Sequence, residues 1–174
     1  MQQVKAAVIS KTFFTKDVFK LTLFAPTVAK EVKAGQFIHL LCGQAQQFIL
    51  RRPFSVHQVS GDSLELLIKV VGQGTAYLSR LNVREQVDFI GPLGRPFNSK
   101  GVNKALIVAG GMGIAPLFLL AQQLAAKKVK TYALLGAPTR DLLFSYMDIK
   151  RLTRKVEATT EDGSFGHQGK VTDL

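Results

Sequence analysis

The sequence predicts two folds in succession: an antiparallel six-stranded β-barrel over residues 1–99, then a partial doubly wound parallel α/β domain over residues 100–174. Three observations carry this. Short segments rich in Val, Ile, Leu and Phe fill the first half between turn signals. After Ser99 the rhythm becomes strand–helix–strand–helix–strand. Glycine clusters stand twice where a strand hands over to a helix.

The first six strands are read at "VKAAVIS", "VFKLTLFA", "QFIHLLC", "QQFIL", "SLELLIKVV" and "QVDFIG". Alternation is clearest in Phe19-Lys20-Leu21-Thr22-Leu23 and Leu64-Glu65-Leu66, the period of a half-buried strand. Ala25-Pro26, Ala34-Gly35, Ser60-Gly61-Asp62 and Gly91-Pro92 punctuate them. Beyond residue 99, "KALIVAG" is a near-continuous apolar run, the pattern of a parallel strand buried on both faces. "GIAPLFLLAQQLAAKK" has helical period, with Leu117, Leu120, Ala121 and Leu124 on one side. "KTYALLGA" is a second buried strand, "DLLFSYMDIKRL" a helix and "KVEATT" a third strand. There are no internal repeats and no low-complexity segments.

The 174 residues are 47% hydrophobic and 20% charged, enough to bury a core. The longest apolar stretch, 105–126, is interrupted by Gly110-Gly111-Met112-Gly113 and Pro116, so no membrane span is expected. The opening "MQQVKAAVISK" is too short and polar for a secretory signal, which makes the cytosol the expected location. Cys42 is the single cysteine, which excludes an internal disulfide and a cysteine-held metal or iron–sulfur site from this chain alone. It lies in a strand-like run and reads as a buried structural thiol. His39, His57 and His167 show no metal-ligand spacing, and no metal site is expected. Lys plus Arg number 23 against 12 Asp plus Glu, a formal +11. That surplus suits phosphates or an acidic partner, or simply a solvated face, and no nucleic-acid motif accompanies it.

Four stretches carry candidate chemistry. In "LIVAGGMGIAPLFLL" a buried strand ends in Gly110, Gly111 and Gly113 and a helix follows at once. Glycines permit a tight turn and close approach, and the helix start then faces an anion. Pro116 suits the first helical turn. A plain strand-to-helix turn reads from the same residues, since the spacing G-x-G-x-x-P lacks the third glycine of the dinucleotide fingerprint. "KVVGQGTAYLSRL" repeats the arrangement, with Gly74 and Thr75 at the start of a short helix over 75–81. "GPLGRPF", residues 91–97, reads alone as a rigid linker. "RRPFSV", residues 51–56, presents Arg52, Pro53, Phe54 and Ser55 along extended backbone, because the residue before a proline is pushed out of the helical region. An arginine, an aromatic and a hydroxyl so placed suit a diphosphate and a planar ring, or else form a surface strand with snorkelling arginines. Arg140 can receive a ribose 2′-phosphate and Asp141 a ribose hydroxyl, or either can start a helix; the residues do not choose.

In order and spacing, "RRPFSV", "IKVVGQGTAYLS", "GPLGRPF", "VAGGMGIAPL" and "TTEDGSFGHQGKVTDL" resemble the ferredoxin–NADP reductase superfamily. Within it they resemble the electron-transfer subunits of the NAD-linked dihydroorotate dehydrogenases, over essentially the whole chain. The flavoprotein subunits of NADH-dependent ferredoxin:NADP transhydrogenase and sulfide dehydrogenase share the last stretch and are the alternative.

The resemblance implies FAD in the barrel, touched by Arg52, Pro53, Phe54 and Ser55, by Leu67, Ile68 and Lys69, and by Gly74 and Thr75. It implies NAD(P) at Gly110, Gly111, Gly113 and Pro116, with Thr160, Asp162, Gly163 and Ser164 in a nearby loop. The implied activity is electron transfer between NAD(P)H and FAD, serving a catalytic dehydrogenase partner in pyrimidine biosynthesis, with no catalytic acid–base residue required. Members of the family continue the nucleotide-binding sheet and add a cysteine-rich segment holding a [2Fe–2S] cluster. This chain has no cysteines for one, which leads to the expectation of a shortened protein with an incomplete second domain. Two rival readings stand beside this one: a non-catalytic fragment that keeps the fold, and a basic barrel that binds nucleic acid.

Overall fold

The computed structural model describes residues 1–43 and 50–174. Of the expected strand "QQFIL", all but Leu50 lies outside the described residues. The chain divides into two compact units, Met1–Pro96 and Phe97–Leu174.

The first unit contains β1 (Gln2–Phe13), β2 (Val18–Phe24), α1 (Pro26–Glu31), β3 (Phe37–Leu40), β4 (Arg52–Ser55), β5 (Gln58–Ser60), β6 (Ser63–Lys69), α2 (Gln73–Arg80) and β7 (Gln86–Leu93). The strands form one sheet in the order β4-β3-β7-β1-β2-β6-β5, and every neighbouring pair is antiparallel. β4 also approaches β6, so the sheet curls. The expected barrel therefore takes the form of a curled antiparallel sheet, with seven strands among the described residues where six were counted. The additional strands, β4 and β5, have four and three residues, too short for alternation to register, and Pro53 is compatible only with the edge position that β4 occupies. The alternating residues point inward as predicted: Phe19, Leu21, Leu23, Leu64, Leu66 and Phe89 are completely buried. Each such side chain contributes about 1.5–3 kcal/mol relative to exposure. Pro26 opens α1 at its first position, where no N–H is needed, and the helix buries Val28 and Ala29.

The second unit contains β8 (Lys104–Gly110), a 3-10 turn (Gly111–Gly113), α3 (Ile114–Ala126), β9 (Lys130–Ala137), α4 (Tyr146–Leu152), β10 (Lys155–Thr160) and β11 (His167–Gln168), closing in a 3-10 turn at Val171–Asp173. Its sheet is parallel, in the order β11-β10-β9-β8. α3 packs on β8 and β9, and α4 on β9 and β10. Beneath them lie Ile107, Ala109, Ala133, Leu135 and Ala158, all buried.

Two sequence expectations are corrected here. "KALIVAG" is not buried on both faces: Leu106 is 60% exposed and Val108 47%. Both helices lie against the odd-numbered residues of β8 and β9, and among the described residues Leu106 and Val108 on the other face stay exposed. In α3 the fully buried stripe runs through Ile114, Phe118, Ala121 and Leu124, whereas Leu117 and Leu120 are half-buried. With nearly every position apolar, composition alone could not fix which side of the helix faces the sheet.

Candidate functional site

The two adjacent arginines of "RRPFSV" have separate fates. Arg51 turns back onto the sheet: its Nη2 pairs with the Asp88 carboxylate on β7, and its Nη1 donates to the Asp88 carbonyl at 3.0 Å. Gln3 Nε2 donates to the other carboxylate oxygen at 2.8 Å. This pair is a clasp between the approach to β4 and the middle of the sheet. Arg52 is exposed and leads the edge strand, paired to Leu40 of β3, with Pro53 opposite His39, Phe54 opposite Ile38 and Ser55 opposite Phe37. Pro53 is exposed, and Phe54 and Ser55 are half-buried.

Gly74 lies in the first turn of α2, and a Cβ there would stand 3.0 Å from the Cβ of Cys42. Glycine thus lets the start of α2 press against the chain just beyond β3. Cys42 is 1% exposed, and burial pushes its thiol up to about 11, with the neighbouring Arg52 charge acting in the opposite direction. Cys42 thus lies against the opening turn of α2, whose first amides have no intrahelical acceptors. Thr75 serves the turn itself. Its Oγ1 accepts from the Val71 and Gly72 amides at 2.9 and 3.2 Å and donates to the Gly72 carbonyl at 3.1 Å. Its hydroxyl holds the glycine turn in shape.

Of the β6 residues, Leu67 and Ile68 bury their side chains in the core, and Lys69 is exposed beside Asp17 at 3.9 Å. β5 pairs only with residues 63–65 of β6, so 67–69 present main-chain groups along that edge. Arg52–Ser55, the 67–69 edge and the start of α2 all lie in the first unit. At the far end of α2, Lys11 Nζ on β1 donates to the carbonyls of Ser79 and Leu81, both at 2.6 Å. The sequence gives no hint of this contact, which spans 68 residues or more.

In the second unit, Gly110 ends β8 and Gly111 takes a left-handed φ of +49°, open to solvent on its Cβ side. The backbone reverses there before α3 begins, with Gly113 just ahead of it and Pro116 in its first turn. Gly110 and Gly111 line a cavity of about 260 Å³ at the carboxyl ends of the strands. Sequence reasoning missed the rest of its lining, which includes Gly136, Pro138, Glu161 and Lys170. Gly136 pairs in register with Gly110. A second strand ending in a small residue was the available signal.

Thr160 and Asp162 shape the neighbouring loop. Thr160 is fully buried; its Oγ1 donates to the Phe165 carbonyl at 2.8 Å and accepts the Phe165 amide at 2.9 Å. Asp162 accepts from Ser164 Oγ at 2.6 Å and from its amide at 3.0 Å, which holds its carboxyl below the usual range. Ser164 Oγ in turn accepts the Arg140 amide at 2.9 Å, and the Arg140 guanidinium stands 5.7 Å over the Phe165 ring. Gly163 follows in a left-handed turn. Among the described residues no cluster of three potential metal ligands occurs, and no helix is long and apolar enough to cross a membrane.

A family model described as the oxidoreductase FAD-binding domain matches residues 5–97. The chain is 36% identical over 172 residues to the dihydroorotate dehydrogenase B (NAD(+)), electron transfer subunit, of Desulforamulus reducens, covering 97% of this chain and 66% of that protein. It is 35% identical over 179 residues to the subunit of the same name from Bacillus mycoides, covering 100% of this chain and 69% of that one. The solved structure of an NADH-dependent reduced ferredoxin-NADP oxidoreductase, described for flavin-based electron bifurcation, superposes with a TM-score of 0.84 at 30% identity, over 97% of this chain and 60% of that chain. The chain spans about two thirds of the length of the curated relatives it matches.

Proposed function

The chain belongs to the oxidoreductase FAD-binding domain family, and on that premise we propose that it is a flavoprotein that moves electrons between NAD(P)H and FAD, of the dihydroorotate dehydrogenase electron-transfer type. The reading places it in the cytosol, serving a catalytic dehydrogenase subunit on the route to pyrimidines. The observation that carries it is the presence, inside the stretch that the FAD-binding family model matches, of an exposed Arg52 leading an edge strand and of a glycine-opened helix start at α2. A guanidinium and free helix-start amides each suit a phosphate.

FAD, when bound, supplies acceptance of a hydride from a nicotinamide and release of its electrons onward. The residues present fit it. Arg52 and the first amides of α2 neutralise its phosphates. The half-buried Phe54 and Ser55 and the main chain of 67–69 offer an apolar wall and donors for a planar ring. Gly110, Gly111 and Gly113 with Pro116 seat the dinucleotide phosphates at the start of α3, and the loop stapled by Thr160, Asp162 and Ser164 shapes one side of that site. No side chain is asked to move a proton; the protein binds and orients. Cys42 is the only cysteine of the 174 residues, so onward transfer through a [2Fe–2S] cluster needs ligands from elsewhere. The 30% identity to the NADH-dependent reduced ferredoxin-NADP oxidoreductase favours a second reading, a flavoprotein subunit of the ferredoxin:NADP transhydrogenase or sulfide dehydrogenase type.

The test is optical. Protein purified with FAD in excess should hold a flavin absorbance that NADH bleaches anaerobically, and reoxidation of that flavin by ferredoxin selects the second reading. Arg52→Ala should weaken FAD binding about tenfold or more, the scale of a charge-assisted contact to phosphate. A folded protein that takes up no flavin overturns the proposal.

A further inference from the structure

The positive charge of the second unit stands at the wrong end for a dinucleotide. Residues 97–174 hold 11 Lys and Arg. Nine of them, all exposed, lie where the strands begin: Lys100, Lys104, Lys127, Lys128 and Lys130 around the starts of β8 and β9, and the pairs at 150–151 and 154–155 around the start of β10. At the opposite ends, where Gly110 and Gly111 line the cavity, the basic residues are Arg140 and Lys170, against Asp141, Glu161, Asp162 and Asp173. Charge that served dinucleotide phosphates would gather at this second end.

The cations at the strand starts are also largely unanswered. Glu157 pairs with Lys155, and Asp148 with Arg151 at 3.2 Å. Among the described residues no carboxylate pairs with the other seven. The negative ends of α3 and α4 account for the cations in their closing turns. They do not account for Lys104 and Lys130, partners in register on neighbouring strands, about 4.8 Å apart across the ladder, where like charges repel. Lys128 follows α3 with a left-handed φ of +57°, a conformation for which glycine is the unstrained choice.

We propose that this end of the sheet docks an acidic segment of a partner protein, a stretch of polypeptide with several carboxylates spaced across the three strand starts. Charge complementarity selects that partner. Lysine outnumbers arginine there by seven to two. A lysine ammonium meets carboxylates as a mobile point charge, whereas arginine's planar fork is the choice for nucleic-acid phosphates. Tyr132, the aromatic ring beside the strand starts, has Lys104 at 5.2 Å from its centre, so that face is not free to stack a base as single-stranded nucleic acid requires. The inference goes beyond the flavin reading and is independent of it, because a chain that bound no flavin would present the same charges.

The probe is an oligoglutamate of about twelve residues, long enough when extended to cross the three strands, titrated into the 174-residue chain. Binding is expected, and it should weaken about tenfold or more between about 20 and about 200 mM salt. Lys104→Glu together with Lys130→Glu should weaken it more than about tenfold. Lys5→Glu together with Lys16→Glu makes the same change of net charge at exposed positions of the first unit, and should leave it within about twofold. Lys127→Gln together with Lys128→Gly separates docking from folding. Its unfolding midpoint should not fall, because glycine fits the left-handed turn, while its affinity drops about fivefold. An affinity that this variant leaves unchanged overturns the proposal, as does absence of binding at the lower salt, or equal loss in the two glutamate variants. Tighter binding of an oligothymidylate of the same length overturns it in favour of nucleic acid, and tighter binding of phosphatidylserine vesicles in favour of a membrane surface.

Discussion

The two units solve the problem of burying a sheet differently. In the first, the antiparallel sheet curls until its own strands cover one another, and Phe19, Leu21, Leu23 and Phe89 end with no exposure at all. In the second, the parallel sheet depends on helices for cover, and two helices cover one face. A curled antiparallel sheet can be self-sufficient within about a hundred residues, whereas a parallel sheet needs a layer on each side. The apolar content of a strand therefore does not reveal how buried it is: β2 and β8 are similarly apolar, but β2 buries five of its seven residues and β8 two of seven.

Substitutions test that contrast directly. Phe89→Ala in the first unit should cost about 3–5 kcal/mol of stability, read by denaturant unfolding. Leu106→Ala in the second should cost within about 0.5 kcal/mol, because it is a surface change. Equal costs would break the comparison. Asp88→Ala unclasps Arg51 and leaves a partly buried guanidinium unpaired; a loss of about 1–3 kcal/mol is expected, with an unfolding midpoint shift in the first unit only. A smaller effect separates the units by acid. Asp17 in the first, bonded to Thr15, and Asp162 in the second, bonded to Ser164, both sit below the ordinary 3.8. Each depressed carboxyl adds stability in full above that value and loses it as pH falls through the folded value. Asp162→Asn should flatten the acid dependence of the 160–165 loop, read by exchange of the Phe165 amide, and leave the β1–β2 turn unaffected. The least effect is at Cys42. With its thiol raised to about 11, an alkylating reagent at pH 8 should leave the native protein unlabelled and react fully after unfolding. Rapid native labelling would mean that the first unit opens beside α2.

Much of this was legible in the sequence. Alternation at 19–23 and 64–66 identified inward-facing strands, because a two-residue period with one buried face leaves no other register. The glycine turns at 72–75 and 110–113 were visible because backbone constraints write themselves into residue type. What stayed hidden depends on partners far along the chain. The apolar run at 104–110 looked doubly buried, because the absence of a covering layer has no local signature. The role of Arg51 was unreadable beside Arg52, since only the position of Asp88 on β7 separates the clasp from the exposed guanidinium. Thr160 and Asp162 were singled out as site residues by resemblance, and their side chains prove to be committed to staples within the loop.

Lys11 carries a last consequence. Its ammonium, on the opening strand, grips the closing carbonyls of α2, while the Gly74 turn rests beside Cys42 at the other end, so the helix is moored at both ends. A nascent chain cannot complete the second mooring until Leu81 has left the ribosome.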